Sequence, residues 1–313
     1  MILYSESVPE LPEVETIVRG LERRVAGDRI ESVWIGSRTQ PLKSPATVIA
    51  RTLEGKRIER VHRAGKHIIF ELSSESGRRK SSNRRAGSRT TRNRRRFPNP
   101  AVKRTAGADN TSGNESAQWV VHLGMTGRLV VSDPSAESAK HTHLVATLAS
   151  GRELRFVDPR MFGKLSVHTT AFDPGGVEPL EVSEESFAGL FRGRKTPMKS
   201  ALLNQKLVRG VGNIYADESL FRAGIRPRRR AAAVNRQELS RLYRSVQEVL
   251  REAIALGGSS ISDYVDAEGE EGFFQLEHRV YGREGEPCRV CGTAIRRIVL
   301  VGRSSHYCPR CQK

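Results

Sequence analysis

Four cysteines near the C-terminus have the spacing that most directly predicts chemistry. They stand as Cys288-x2-Cys291 and Cys308-x2-Cys311, with sixteen residues between the pairs. Each pair offers two thiolates from one tight turn, and two such knuckles at this interval suit a single tetrahedral Zn²⁺. The segment between them, 295–300 followed by His306-Tyr307, has the composition of a β-hairpin. Two disulfides or four free thiols are the alternatives, and nothing else in the chain points to an oxidising compartment. A closed set of four cysteines leaves no coordination position for a substrate, so the zinc expected here folds a finger and catalyses nothing. The finger presents Arg303 beside Gly302 near its hairpin turn.

Two further patterns could bind or react. Arg209-Gly210-Val211-Gly212-Asn213 is a glycine-flanked turn opening a helix. Backbone N–H groups at such a point, with the positive end of the helix dipole, favour a phosphate. An ordinary turn asparagine would also fit there. At the other end stands Pro9-Glu10-Leu11-Pro12-Glu13-Val14-Glu15-Thr16, preceded by eight residues. Pro12 suits the first turn of a helix, and Glu10, Glu13 and Glu15 suit its positive end.

The charge narrows the partner. The 313 residues carry a formal +18, which predicts a polyanion such as nucleic acid. Residues 76–108 hold twelve Lys and Arg and no acid, and without them the charge falls to +6. That stretch is rich in Ser, Gly, Asn and Thr and lacks periodicity, so 74–117 is expected to be a disordered basic insertion. It is either a tolerated surface loop or a polyelectrolyte arm that strengthens non-specific DNA binding. No apolar run reaches membrane length, and residues 1–8 lack the basic and apolar regions of a secretory signal. A cytoplasmic chain that engages no membrane is expected.

The elements that must position these residues follow from periodicity. Val14, Ile17, Val18, Leu21 and Val25 form one stripe of an amphipathic N-terminal helix. Segments 61–72, 119–122, 128–131, 143–148 and 153–157 have strand character. Short strands at this spacing predict a β-sandwich flanked by helices. From Ser183 the pattern turns helical, with 198–207, 216–223 and 236–256 as helices and 259–274 as a loop. The fold class is α+β. The expected units are a leader (1–8), a β-sandwich domain (9–182), a helical domain (183–280) and a zinc finger (281–313).

Six blocks in order resemble the formamidopyrimidine-DNA glycosylases, repair enzymes for oxidised purines. They are the run at Pro9, Ala64-Gly65-Lys66, His122-Leu123-Gly124-Met125-Thr126-Gly127 and Asp158-Pro159-Arg160-Met161-Phe162-Gly163. The last two are the 206–216 turn of a helix–two-turn–helix element and Tyr281-Gly282-Arg283-Glu284-Gly285-Glu286-Pro287-Cys288. Only residues 1–8 and 74–117 lack a family counterpart.

The resemblance implies a bifunctional glycosylase and AP lyase. It would remove 8-oxoguanine and formamidopyrimidines from duplex DNA and cleave the strand at abasic sites by β,δ-elimination. Pro9 would be the nucleophile, as a free secondary amine forming an iminium with C1′, and Glu10 would move protons beside it. Lys66 would contact a phosphate or sugar oxygen, and Arg303 would clamp phosphates and serve the elimination. Lys199 and Asn213 would hold the backbone, while Met125, Arg160 and Phe162 would fill the space left by the extruded nucleotide. Met161 replaces the family's frequent arginine, and the acidic 259–274 loop matches the lesion-covering loop in position. The enzyme would work as a monomer, at the nucleoid, with one structural Zn²⁺.

Residues 1–8 bear on this chemistry. An internal proline nitrogen is an amide and cannot attack C1′. The expectation is that translation starts at the codon of Val8, read as an initiator GTG, and that removal of Met frees Pro9. The alternative, with the leader retained, is a catalytically inactive protein that binds damaged DNA.

Overall fold

A computed structural model of the chain describes residues 8–74, 116–259 and 272–313. Expectations for 1–7, for most of the basic insertion and for most of the 259–274 loop lie outside the described residues.

The first helix, α1 (Leu11–Val25), buries the stripe read from the sequence, Val14, Ile17, Val18, Leu21 and Val25. Full burial of each such side chain is worth about 1.5–3 kcal/mol. Its apolar face packs on two four-stranded antiparallel sheets. One has the order β1 (Ile30–Ile35), β6 (Thr142–Leu148), β7 (Glu153–Val157), β5 (Arg128–Ser132). The other has the order β2 (Arg57–Ala64), β3 (His67–Ser73), β4 (Ala117–His122), β8 (Lys164–His168). A helix α2 (Ala46–Leu53) contributes Ile49 and Leu53 to the core between the sheets, where Phe70 stacks on Trp119 and Phe156 is fully buried. This is the expected sandwich, with β1, α2 and β8 added. The 61–72 segment is two strands rather than one. Ala64 pairs with His67 across a two-residue turn in which Gly65 has φ +59°, so the chain reverses and Lys66 stands at the tip. Ala117 begins β4 and is buried, which places the far edge of the insertion inside a strand.

The helical unit comprises α3 (Glu184–Gly189), α4 (Met198–Leu202), α5 (Asn213–Ala223) and α6 (Arg236–Ala255) around Phe187, Phe191, Tyr215, Leu242 and Val246. Ser183 caps α3 by accepting from the Ser186 N–H. Val177, Leu180 and Val182 pack against this core, so the helical unit takes in chain from 177, earlier than the expected 183. A hairpin of β9 (Arg296–Leu300) and β10 (Arg303–Tyr307) completes the finger. Leu11 belongs to the helical core while Val14 belongs to the sandwich core. Helix α1 therefore begins at the seam between the two units, and Pro9-Glu10 lies there. No helix among the described residues is long and apolar enough to cross a membrane.

Candidate active site

A cleft of about 480 Å³ opens at that seam, lined by Val8, Glu10, Lys66, Asn213, Tyr281 and Arg303 among others. Four elements deliver these side chains: the start of α1, the β2–β3 turn, the start of α5 and the finger hairpin. Pro9 is half-buried between Val8 and Glu10.

Backbone contacts at the 209–213 turn seat the chain's start. The Leu11 N–H donates to the Gly210 carbonyl at 3.0 Å. A Cβ on Gly212 would fall 2.2 Å from the Glu10 carboxyl carbon, and one on Gly210 would meet Leu11 at 2.7 Å. Both glycines are needed because Leu11 and Glu10 occupy the space. The Ile214 N–H at the start of α5 is accordingly taken by Glu10 Oε1, at 3.1 Å, rather than open to a phosphate.

Glu10 is buried, and its Oε2 has no hydrogen-bond partner among the described residues. Burial pushes its pKa up to about 7; nearby Lys66 pulls it down and Glu13 adds to the rise. Burial also lowers the Lys66 ammonium, against the attraction of Glu10 and Glu13. A carboxyl that titrates near neutrality beside a partly desolvated lysine can give and take protons. Glu13 is a residue whose role the sequence concealed. Its carboxylate accepts from the Glu10 N–H at 2.9 Å, from the Ser259 N–H at 2.8 Å and from the Tyr215 hydroxyl. It is a buried organiser of the seam, not a solvated dipole partner.

Asn213 Nδ2 lies 3.2 Å from Ser304 Oγ, and its buried Oδ1 has no hydrogen-bond partner among the described residues. Exchanging the amide's O and N would let the serine hydroxyl donate to Oδ1. Lys199, expected to contact the DNA backbone, is buried under the hairpin, where Nζ bonds the Ser304 carbonyl and pairs with Asp217. Asp217 Oδ2 also accepts from the His306 N–H at 2.8 Å. Glu218 accepts from the N–H groups of Arg279, Val280 and Tyr281. Acidic residues on the buried face of α5 were the available signal for both, and Lys199 thus acts on Arg303 by fixing the strand it begins.

Met125, Arg160 and Phe162 do not line the cleft. They sit on two loops tied together by buried Asp158, which accepts from Thr126 Oγ1 at 2.6 Å and from the Gly163 N–H at 2.7 Å. Phe162 is 53% exposed, and the Arg160 guanidinium stands 5.7 Å from its ring centroid. Met125 is half-buried and Arg160 exposed.

The four cysteine sulfurs lie within 4.8 Å of one another, with Cys288–Cys311 at 3.9 Å and Cys291–Cys308 at 3.5 Å. Sulfurs at about 2.3 Å from a tetrahedral Zn²⁺ stand roughly 3.8 Å apart, so the set fits one ion. Zinc would lock the two knuckles beneath the hairpin that carries Arg303.

Residues 8–165 match the pattern of the Formamidopyrimidine-DNA glycosylase N-terminal domain, and 176–265 match the H2TH domain of the same proteins. Residues 285–313 match the zinc finger found in FPG and IleRS. The chain belongs to the formamidopyrimidine-DNA glycosylase family. The formamidopyrimidine-DNA glycosylase of Solibacter usitatus is 42% identical over 98% of this chain and all of its own. The crystal structure of the Thermus thermophilus MutM (FPG) protein matches with TM-score 0.74 and 36% identity, over 97% of this chain and 98% of that one. A point mutant of the Lactococcus lactis FPG, crystallised with a Fapy-dG containing DNA, matches with TM-score 0.78 and 30% identity, over 97% and 100%. As a member of this family the chain is an enzyme with a structural Zn²⁺.

Proposed function

We propose that this glycosylase excises oxidised purines, 8-oxoguanine and formamidopyrimidines, from duplex DNA and cleaves the strand at the resulting abasic site. The observation that carries this reading is the convergence of Glu10, Lys66, Asn213 and Arg303 on one cleft that Val8, the neighbour of Pro9 in the chain, also lines. A free α-amine near pKa 8 is partly neutral at pH 7. The Pro9 nitrogen attacks C1′ as the glycosidic bond breaks, and the damaged base departs with the proton the amine gives up. The C1′–O4′ bond then opens with a proton delivered to O4′, and the resulting iminium acidifies the neighbouring C–H for elimination. Glu10, buried next to Pro9 in the chain, serves as proton donor and acceptor at the sugar. Lys66 holds a sugar or phosphate oxygen beside it. Arg303 and Asn213 clamp phosphates and Lys199 positions the hairpin, contacts that fix register without reading sequence.

Flipping the nucleotide out costs a few kcal/mol of unstacking. Met125 and Phe162 fill the gap, and Arg160 faces the orphaned base. The protein works as a monomer, in the cytoplasm at the nucleoid.

The chemistry requires that the working chain begin at Pro9. Release of Val8 puts a secondary ammonium beside Glu10, which draws the carboxyl below its present pKa. Mass spectrometry of the native N-terminus, paired with borohydride trapping on an 8-oxoguanine duplex, tests the reading. A trapped adduct on a chain beginning at Pro9 is the expected result. A native chain that retains Val8, binds the duplex and gives no adduct is instead an inactive damage-binding protein.

A further inference from the structure

The turn joining β9 to β10 carries a valine where its backbone disfavours one. Leu300 pairs with Arg303, leaving Val301 and Gly302 as a two-residue loop. Val301 has φ +48° and Gly302 φ +75°, positive at both centres as in a type I′ turn. Such turns favour Asn or Gly first, and a β-branched residue at positive φ is a steric outlier. Burial does not compensate, because Val301 is 81% exposed and nearby Val299 62%. Val301 nevertheless lines the catalytic cleft together with Arg303, Asn213 and Lys66.

Local strain persists at positions where function uses it. We propose that Val301 is an apolar contact for a deoxyribose of the bound DNA, adjacent to the phosphate that Arg303 holds. This rests on the reading that the cleft receives DNA. The occupant follows from the chemistry of the tip. Arg296, Arg297 and Arg303 are exposed cations on the same hairpin, with Val299 and Val301 exposed between them. A nucleic-acid backbone has the matching alternation, anionic phosphates separated by sugars with apolar edges. Val301 acts as an affinity residue: it adds apolar contact without adding charge.

Asparagine at this position separates the contact from the fold. The experiment compares the zinc-loaded full chain with Val301→Asn and Val301→Ile, on a duplex containing one tetrahydrofuran abasic mimic. Val301→Asn is expected to melt at the same temperature or higher, because it relieves the turn. It should bind roughly threefold to tenfold more weakly, the size of a lost partial burial of one valine, with an unchanged salt dependence. Val301→Ile should bind as the unaltered chain does. Binding by Val301→Asn within twofold of the unaltered chain overturns the inference, and so does a lowered melting temperature. Failure of the unaltered chain to bind the duplex overturns the cleft reading itself, and this inference with it.

Discussion

Lys199 and Asp217 form an ion pair shut away from water, with Nζ 2.7 Å from Oδ1 and side chains 1% and 0% exposed. The pair fastens α4 to α5. Through the His306 N–H on Asp217 and the Ser304 carbonyl on Lys199 it also fastens both to β10. The hairpin that presents Arg303 is therefore fixed by charge as well as by zinc. Removing one partner strands the other charge in a buried site. Asp217→Ala is expected to destabilise the zinc-loaded protein by about 3–5 kcal/mol in urea unfolding. The double variant Lys199→Met/Asp217→Leu should recover much of that loss, because no lone charge remains. A single variant as stable as the parent would show that the ammonium finds water.

In the chain that retains Val8, Glu10 makes stability fall with rising pH. Its folded pKa of about 7 stands above the ordinary value of 4.5, so between these the native state binds the proton more tightly than the unfolded chain. The penalty is absent below pH 4.5 and fully developed above pH 7, at about 3 kcal/mol to order of magnitude. Glu10→Gln keeps an acceptor for the Ile214 N–H and removes the titration. The variant should match the parent near pH 4, exceed it in stability at pH 8, and lose excision activity. A stability difference that does not change with pH would mean that Glu10 does not titrate in this range.

Zinc removal should disarm binding before it unfolds the sandwich. The finger's own apolar cluster is small, made of Phe221, Val280, Ile295 and the cysteines, and so depends on the metal for its fold. Chelation, or Cys291→Ser, should abolish damaged-duplex binding. The near-ultraviolet signal of the stacked Phe70–Trp119 core should remain. Retained binding after verified loss of zinc would show that the hairpin holds its place through Lys199 and Asp217 alone.

Phe162 is a large apolar side chain that folding leaves half in water, while Asp158 holds its loop in place. Phe162→Ala should change stability by no more than about 0.5 kcal/mol, as surface substitutions do. Binding to a lesion-containing duplex should weaken far more than that. Equal losses in both would make Phe162 a packing residue.

Periodicity revealed the faces that repeat, and hid what single contacts decide. The α1 stripe and the cysteine knuckles were legible because helix period and metal spacing are local. The 61–72 reversal was not, since a two-residue turn at Gly65-Lys66 leaves the apolar pattern on both sides intact. The resemblance named Glu10 and Lys199 but could not supply their surroundings. A carboxylate against Gly212, or a lysine sealed by Asp217, exists only once distant segments meet. Glu13 and Asp158 escaped for the same reason: each accepts from backbone N–H groups of distant segments or loops, which leave no trace in residue type.

The basic residues of 76–108 bear on affinity through charge alone. Each phosphate neutralised on duplex DNA adds roughly 0.9 to the steepness of log K against log salt. Twelve cations without an acid stand in sequence between β3 and β4 of a DNA-binding enzyme, and each one that meets the duplex backbone adds to that slope. Deleting 76–108 should flatten the salt dependence by several units and weaken binding at low salt most. The single-turnover rate at saturating enzyme should be unchanged, because no residue of the cleft is touched. An unchanged slope would mean that these cations stay away from the DNA and that the insertion is merely tolerated.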